Sequence, residues 1–213
     1  MKYSTDWLLD QLAREARIKY LFFWGNQPAK DGSITKSCLS QWWVADFVVA
    51  GVTYRSTEHW MMAEKARLFK DKSALALILA AKSPAEAKKL GREIQGFDPD
   101  LWEASKVEIV RIGNLHKFGQ HKNLLKFLLA TDGRVLVEAS PVDTIWGIGL
   151  AADSPDAAVP ARWQGPNLLG FIGLTHSTQP RSGVMLVVKS FADNSQPRIG
   201  GTYLGREVSP FHG

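Results

Sequence analysis

The sequence predicts a single α+β domain, mainly helical, with a small β component. Three observations carry that expectation. Stretches rich in helix formers begin at Ser, Thr or Asp, as capped helices do, and run for two or more turns. The β-branched and aromatic runs are short, and Gly or a polar pair stops most of them. The chain has 213 residues, 45% of them hydrophobic, enough for one full core, and shows neither an internal repeat nor a low-complexity tract.

Residues 5–19 place Leu8, Leu12 and Ala16 on one face with charges opposite, which predicts an amphipathic helix over the N-terminal segment 1–19. Tyr20 to Trp24 reads as a buried strand stopped by Gly25-Asn26, and residues 27–40 read as a surface loop with Asp31-Gly32 as its turn. Residues 44–50, Gly51 and residues 52–54 predict a strand pair that feeds directly into a helix over residues 56–69. Further helices are expected over 71–81, from the capping box Ser83-Pro84-Ala85-Glu86 to Gly91, from Asp98-Pro99 to about Phe118 with Gly113 weakening its middle, and around 124–129. A strand over 134–140, a glycine-bearing loop over 141–149 and a helix over 165–174 complete a domain expected to span 20–176. Residues 177–213 read as an appendage with a flexible end, in which Val184 to Val188 has a strand pattern.

The 56–69 helix is the stretch around which the chain is organised. Glu58 and Lys65, seven apart, fall within roughly 20° of each other around a helix axis, with Met61 and Met62 between them. Two readings of that face are open: a pocket floor carrying a carboxylate and an ammonium, or a solvated face on which Glu and Lys only solubilise.

Charge and composition narrow the function. Residues 62–126 hold 13 Lys/Arg and 8 Asp/Glu, so this segment carries the whole formal excess of +5 and is where phosphate would be met. The charges alternate in sign as on ordinary helix faces, so charge alone does not make a nucleic-acid binder. No window approaches the ~18–20 apolar residues of a membrane span and no secretion signal opens the chain, so a cytoplasmic protein without a membrane partner is expected. The single cysteine, Cys38, reads as a packed small residue in a reducing compartment. No phosphate-binding glycine loop, nucleophile elbow or Cys-x-x-Cys is present, and the histidines lack ligand spacing, so neither metal nor cofactor is expected.

What remains is carboxylates among tryptophans. Glu58 precedes His59-Trp60, Asp143 lies three residues before Trp146, and the chain has eight Trp. Each indole has core packing as its alternative, yet aromatic faces stack flat heterocycles at about 1–3 kcal/mol per base. Hydrolysis of a glycosidic bond passes through a cationic sugar that a carboxylate can stabilise while it, or a second one, activates water.

At this point a resemblance appears. Leu21-Phe22-Phe23-Trp24, Leu39-Ser40-Gln41-Trp42, the run from Tyr54 to Lys65, and Ala85 to Arg92 are similar in kind and order to the NADAR domain family of YbiA-like N-glycosidases. So are Asn114 to Phe118, Leu128 to Thr131, Leu136 to Gly149, and Gly165 to Gly170. The resemblance implies a compact, mainly helical α+β fold and a hydrolase of N-glycosidic bonds to ribose. Its implied substrates are phosphoribosylamino-pyrimidine intermediates of riboflavin synthesis or ADP-ribose attached to guanine, so nucleic acid enters only as an ADP-ribosylated substrate. A module that binds ADP-ribose without cleaving it is the alternative of a different class.

Carried over by position, Glu58 and Asp143 match the motif's carboxylates, Trp102 and Trp146 its pocket aromatics, and Asn167 its late Asn. Trp24, Gly25 and Gly147 are expected to meet substrate, and Lys65, Arg92 or Lys36 to hold phosphate. Lys36, just before the Trp42-Trp43 pair, carries a further expectation: a lysine against aromatics can lose its proton and attack an opened ribose as an amine. An exposed loop lysine is the alternative. The chain departs from the family at Ser40-Gln41-Trp42, where many relatives have Ser-Asn-Phe, which bears on the shape of that wall and on the substrate.

Overall fold

A computed structural model describes residues 2–177 together with 198–199 and 202–203. Seven α-helices and six short strands are present among them: α1 Thr5–Ala13, β1 Tyr20–Phe23, β2 Phe47–Val49, β3 Val52–Tyr54, α2 Thr57–Leu68, α3 Lys72–Ala80, α4 Pro84–Arg92, α5 Pro99–Gln120, α6 Lys122–Leu129, β4 Val135–Glu138, α7 Leu168–Ser177, β5 Arg198–Ile199 and β6 Thr202–Tyr203. The expectation of a mainly helical α+β chain holds. Most of the expected 177–213 appendage, including the strand pattern at Val184 to Val188, lies outside the described residues. None of the described helices is long and apolar enough to cross a membrane.

The caps lie where the sequence places them. Ser56, Asp71, Ser83 and Asp98 each accept a backbone N–H from the first turn of the helix that follows, and Pro84 and Pro99 occupy first-turn positions where no N–H is needed. The β2–β3 hairpin closes on Ala50 (φ 49°) and Gly51 (φ 78°), two left-handed residues in succession, and delivers the chain directly to the Ser56 cap. Some boundaries differ: the helix expected over 165–174 spans Leu168–Ser177, the strand expected over 44–50 spans Phe47–Val49, and α1 ends at Ala13, because Glu15 turns left-handed (φ 59°) and breaks the period expected to continue to 19.

A parallel pair, β1 against β4, forms the centre of the fold, with Tyr20 opposite Val135 and Phe23 opposite Glu138. Parallel strands need a crossover, and here α2 to α6 supply it. α7 packs on β4, while α2 sits among α3, α4 and α5. Helix α5, 22 residues long, runs beneath α2 and admits it closely at Gly113, where a Cβ would stand 2.4 Å from Trp60 Cδ1. The glycine read as a weakness of this helix is therefore a packing requirement, and the Trp60 indole N–H anchors the contact by donating to the Ile109 carbonyl at 2.7 Å.

Candidate active site

Glu58 is the second residue of α2 and only 2% exposed. Its own N–H donates to the Gln41 carbonyl at 3.1 Å, and the Thr57 hydroxyl donates to the same oxygen at 3.1 Å, so the start of α2 is tied to the Ser40-Gln41-Trp42 segment. That segment is held from behind by Lys117 of α5, fully buried, whose Nζ donates to the Cys38 and Ser40 carbonyls at 2.7 and 2.8 Å. Burial pushes the Lys117 ammonium down to about 7. The solvated-face reading of 56–69 is thus excluded: ten of its residues, Glu58 among them, are buried.

Glu58, Asp143, Lys65, Arg92, Trp102 and Trp146 line one cavity of about 350 Å³, within the ordinary range for small-molecule sites. Residues distant in the chain thus converge in one cleft. Asp143 Oδ1 accepts the N–H groups of Ile145 and Trp146 at 2.9 and 2.8 Å, a tight turn that presents Trp146 to the cavity. Lys65 Nζ donates to the Gly91 carbonyl at 2.8 Å and lies 4.4 Å from the Phe97 ring centroid and 5.5 Å from that of Trp102. Burial pulls its ammonium below the usual lysine range.

Other expected residues fall outside the lining. Lys36 opens a 3₁₀ turn, Lys36–Leu39, whose other three residues are turned into the protein; Lys36 is left exposed and away from the cavity. Trp24 is 57% exposed and Gly25 (φ 81°) turns the chain away from the end of β1, so neither lines the cavity. Gly147 and Asn167 are buried behind it. A Cβ on Gly147 would stand 2.6 Å from the Glu138 carbonyl oxygen, and Asn167, left-handed at φ 55°, donates from Nδ2 to the Leu136 carbonyl and accepts the Glu138 N–H at Oδ1. Both brace the end of β4 instead of lining the cavity.

The residues that sequence reasoning passed over are Glu138 and Lys88, both of which line the cavity, as does the Ser40-Gln41-Trp42 wall that the sequence had marked. Glu138 had a legible signal: it ends an apolar strand, Val135–Glu138, and a strand buried on both faces offers a carboxylate no solvated side. Desolvation pushes the Glu138 carboxyl up to about 8, with the Asp143 and Glu58 charges raising it further and Lys88 opposing them. Desolvation likewise pushes Glu58 up to about 7, against the pull of Lys88, a hydrogen bond from the Trp42 side chain, and Arg92. One oxygen of each, Glu58 Oε1 and Glu138 Oε2, is buried and has no hydrogen-bond partner among the described residues. Among those residues no His, Cys, Asp or Glu cluster has metal-holding geometry.

Comparison with known proteins places this cleft in context. Residues 22–175 match the NADAR domain. The chain is 40% identical over 157 residues to "N-glycosidase R617" of Acanthamoeba polyphaga mimivirus, covering 71% of this chain and 91% of that protein. It is 38% identical over 104 residues to the chloroplastic "Riboflavin biosynthesis protein PYRR" of Zea mays, covering 46% of this chain and 17% of that much longer protein. The NMR structure of Escherichia coli YbiA matches with a TM-score of 0.61 at 23% identity, over 82% of this chain and 89% of that one, a likeness of fold. The chain belongs to the NADAR domain family.

Proposed function

We propose that this protein is an N-glycosidase, a hydrolase of N-glycosidic bonds to a phosphorylated or nucleotide-linked ribose. The observation that carries the reading is a pair of carboxylates, Glu58 and Glu138, each with one buried oxygen that has no hydrogen-bond partner among the described residues, beside Asp143 in one indole-lined cavity. Burying ionisable oxygens without partners costs several kcal/mol and is retained where a substrate or a transferred proton completes them. Such a wall suits a ribosyl cation better than a resting anion, which argues for cleavage over simple retention of a nucleotide.

Glu58 takes the proton of an attacking water, and the Asp143 charge stabilises the positive sugar carbon. Trp102 and Trp146 flank the ring. Phosphate is held at the cavity edge by Lys88 and Arg92, one turn apart on α4, because Lys65 is already engaged with the Gly91 carbonyl and two aromatic faces. The mimivirus relative's name supports the bond type, and the maize relative is named for riboflavin biosynthesis, a setting in which the phosphoribosylamino-pyrimidine substrate proposed here would be met.

Incubation with phosphoribosylamino-pyrimidines and with ADP-ribosylated guanine in DNA, followed by chromatography, tests the reading. Release of free amine or base from either substrate supports it and selects between the two. Binding of ADP-ribose with no release from any substrate would leave a binding module in its place.

A further inference from the structure

Four carboxylates line the cavity; Glu103 is exposed and paired with Lys106, and the structure gives the other three unequal surroundings. Asp143 spends Oδ1 on two amide donors. Glu58 sits in the first turn of the 12-residue helix α2, where the helix dipole favours an anion, and although Asp143 faces it, Lys88 and Arg92 are nearby positive charges and the Trp42 side chain is a donor. Glu138 ends a strand and so lacks the first-turn position that Glu58 has. Two negative groups, Glu58 and Asp143, face it, and Lys88 alone opposes them.

The backbone of Glu138 is fixed at both ends. Asn167 Oδ1 accepts its N–H at 3.0 Å, the Ile148 N–H donates to its carbonyl at 3.0 Å, and a Cβ on Gly147 would stand 2.6 Å from that carbonyl oxygen and 3.3 Å from Cγ. A side chain so placed lines the cavity with its Oε2 sequestered and without a hydrogen-bond partner among the described residues, an arrangement suited to holding a proton.

We infer that Glu138 is the general acid of the reaction, giving its proton to the departing nitrogen while Glu58 accepts one from water. This rests on the N-glycosidase reading. As the bond between C1′ and nitrogen breaks, its electron pair goes to nitrogen, which takes the Glu138 proton. Water adds to C1′ and passes a proton to Glu58, so the products are a free amine and a reducing ribose, and exchange with solvent restores both carboxyls. Asn167 and Gly147 act as positioning residues for Glu138.

The test compares wild type and Glu138→Gln on two ribose 5-phosphate N-glycosides. One has an arylamine leaving group, which departs protonated; the other is nicotinamide mononucleotide, whose pyridinium leaves as a neutral base and needs no proton. With the arylamine substrate, wild-type kcat should fall as pH rises through about 8, where Glu138 loses its proton. Glu138→Gln should lose roughly 100-fold or more and lose that basic limb, while its loss on the pyridinium substrate should be at least about tenfold smaller.

An intact fold, checked by circular dichroism, with arylamine turnover within about fivefold of wild type or with the basic limb retained overturns the assignment. So does an equal loss on both substrates. Should the variant fail to fold, or wild type not accept the pyridinium substrate, the wild-type profile decides: turnover of the arylamine substrate undiminished to pH 9.5 removes Glu138 as the acid. Wild type releasing nothing from any N-riboside removes the N-glycosidase reading itself, and this assignment with it.

Discussion

Glu58→Gln should make the protein more stable at alkaline pH while disabling it. The folded state holds the Glu58 carboxyl at about 7 against an ordinary 4.5. As pH rises from 4.5, the unfolded chain releases this proton first, so the folded state binds more protons and its stability declines with pH until Glu58 itself has ionised. At about 1.36 kcal/mol per pH unit, the full displacement corresponds to about 3 kcal/mol, and Glu58 is buried enough that solvent screening takes little from it.

Gln has the same shape and no charge. Relative to wild type, the variant should therefore gain about 3 kcal/mol between pH 4.5 and pH 8.5, or roughly 6–12 °C in Tm for a chain of this size. Lys117 acts in the opposite sense: its folded value of about 7 lies below the ordinary 10.5, so it adds stability as pH rises from 7 to 10.5. It is present in both proteins, so the variant-minus-wild-type difference is the quantity to measure. Urea titrations of both proteins at pH 4.5, 6.5 and 8.5 supply it. A difference that does not change with pH, or that turns against the variant at pH 8.5, would refute the claim that Glu58 is a desolvated acid.

Lys117→Met removes the Lys117 donor from the Cys38 carbonyl and leaves the Ser40 carbonyl with only the Trp43 N–H at 3.3 Å, and a loss of roughly 2–4 kcal/mol is expected in a denaturant titration. The same variant should reduce turnover about tenfold, because the Trp42 wall loses its anchor; unchanged stability and turnover would show that the buried ammonium holds nothing. Lys36→Ala should leave turnover at the wild-type level, since Lys36 is exposed and outside the cavity, and borohydride trapping with substrate should give no adduct that depends on it. An adduct lost in Lys36→Ala would return that lysine to the site.

Local signals made much of this molecule readable in the sequence. The caps at Ser56, Asp71, Ser83 and Asp98 and the hairpin at Ala50-Gly51 act over a few residues, and each is visible in the string. Glu58, Met61, Met62 and Lys65 were legible together because helical periodicity alone puts them on one face, and all four line the cavity. The pairing of β1 with β4 is a contact between segments more than a hundred residues apart, which no local period encodes. Glu138 was passed over for that reason: its role depends on which wall β4 faces. Lys36, Gly147 and Asn167 lie outside the cavity lining, where the chain has an exposed turn and two backbone braces, positions that residue type alone does not encode.

The most direct measurement is the rate at which free amine and ribose 5-phosphate appear from a phosphoribosylamino-pyrimidine with wild type and with Glu58→Gln, both shown to be folded. Equimolar release by wild type, slowed about 100-fold or more in the variant, is the expected result, because general acid and base groups contribute at least that much. Near-normal release by Glu58→Gln would contradict the account.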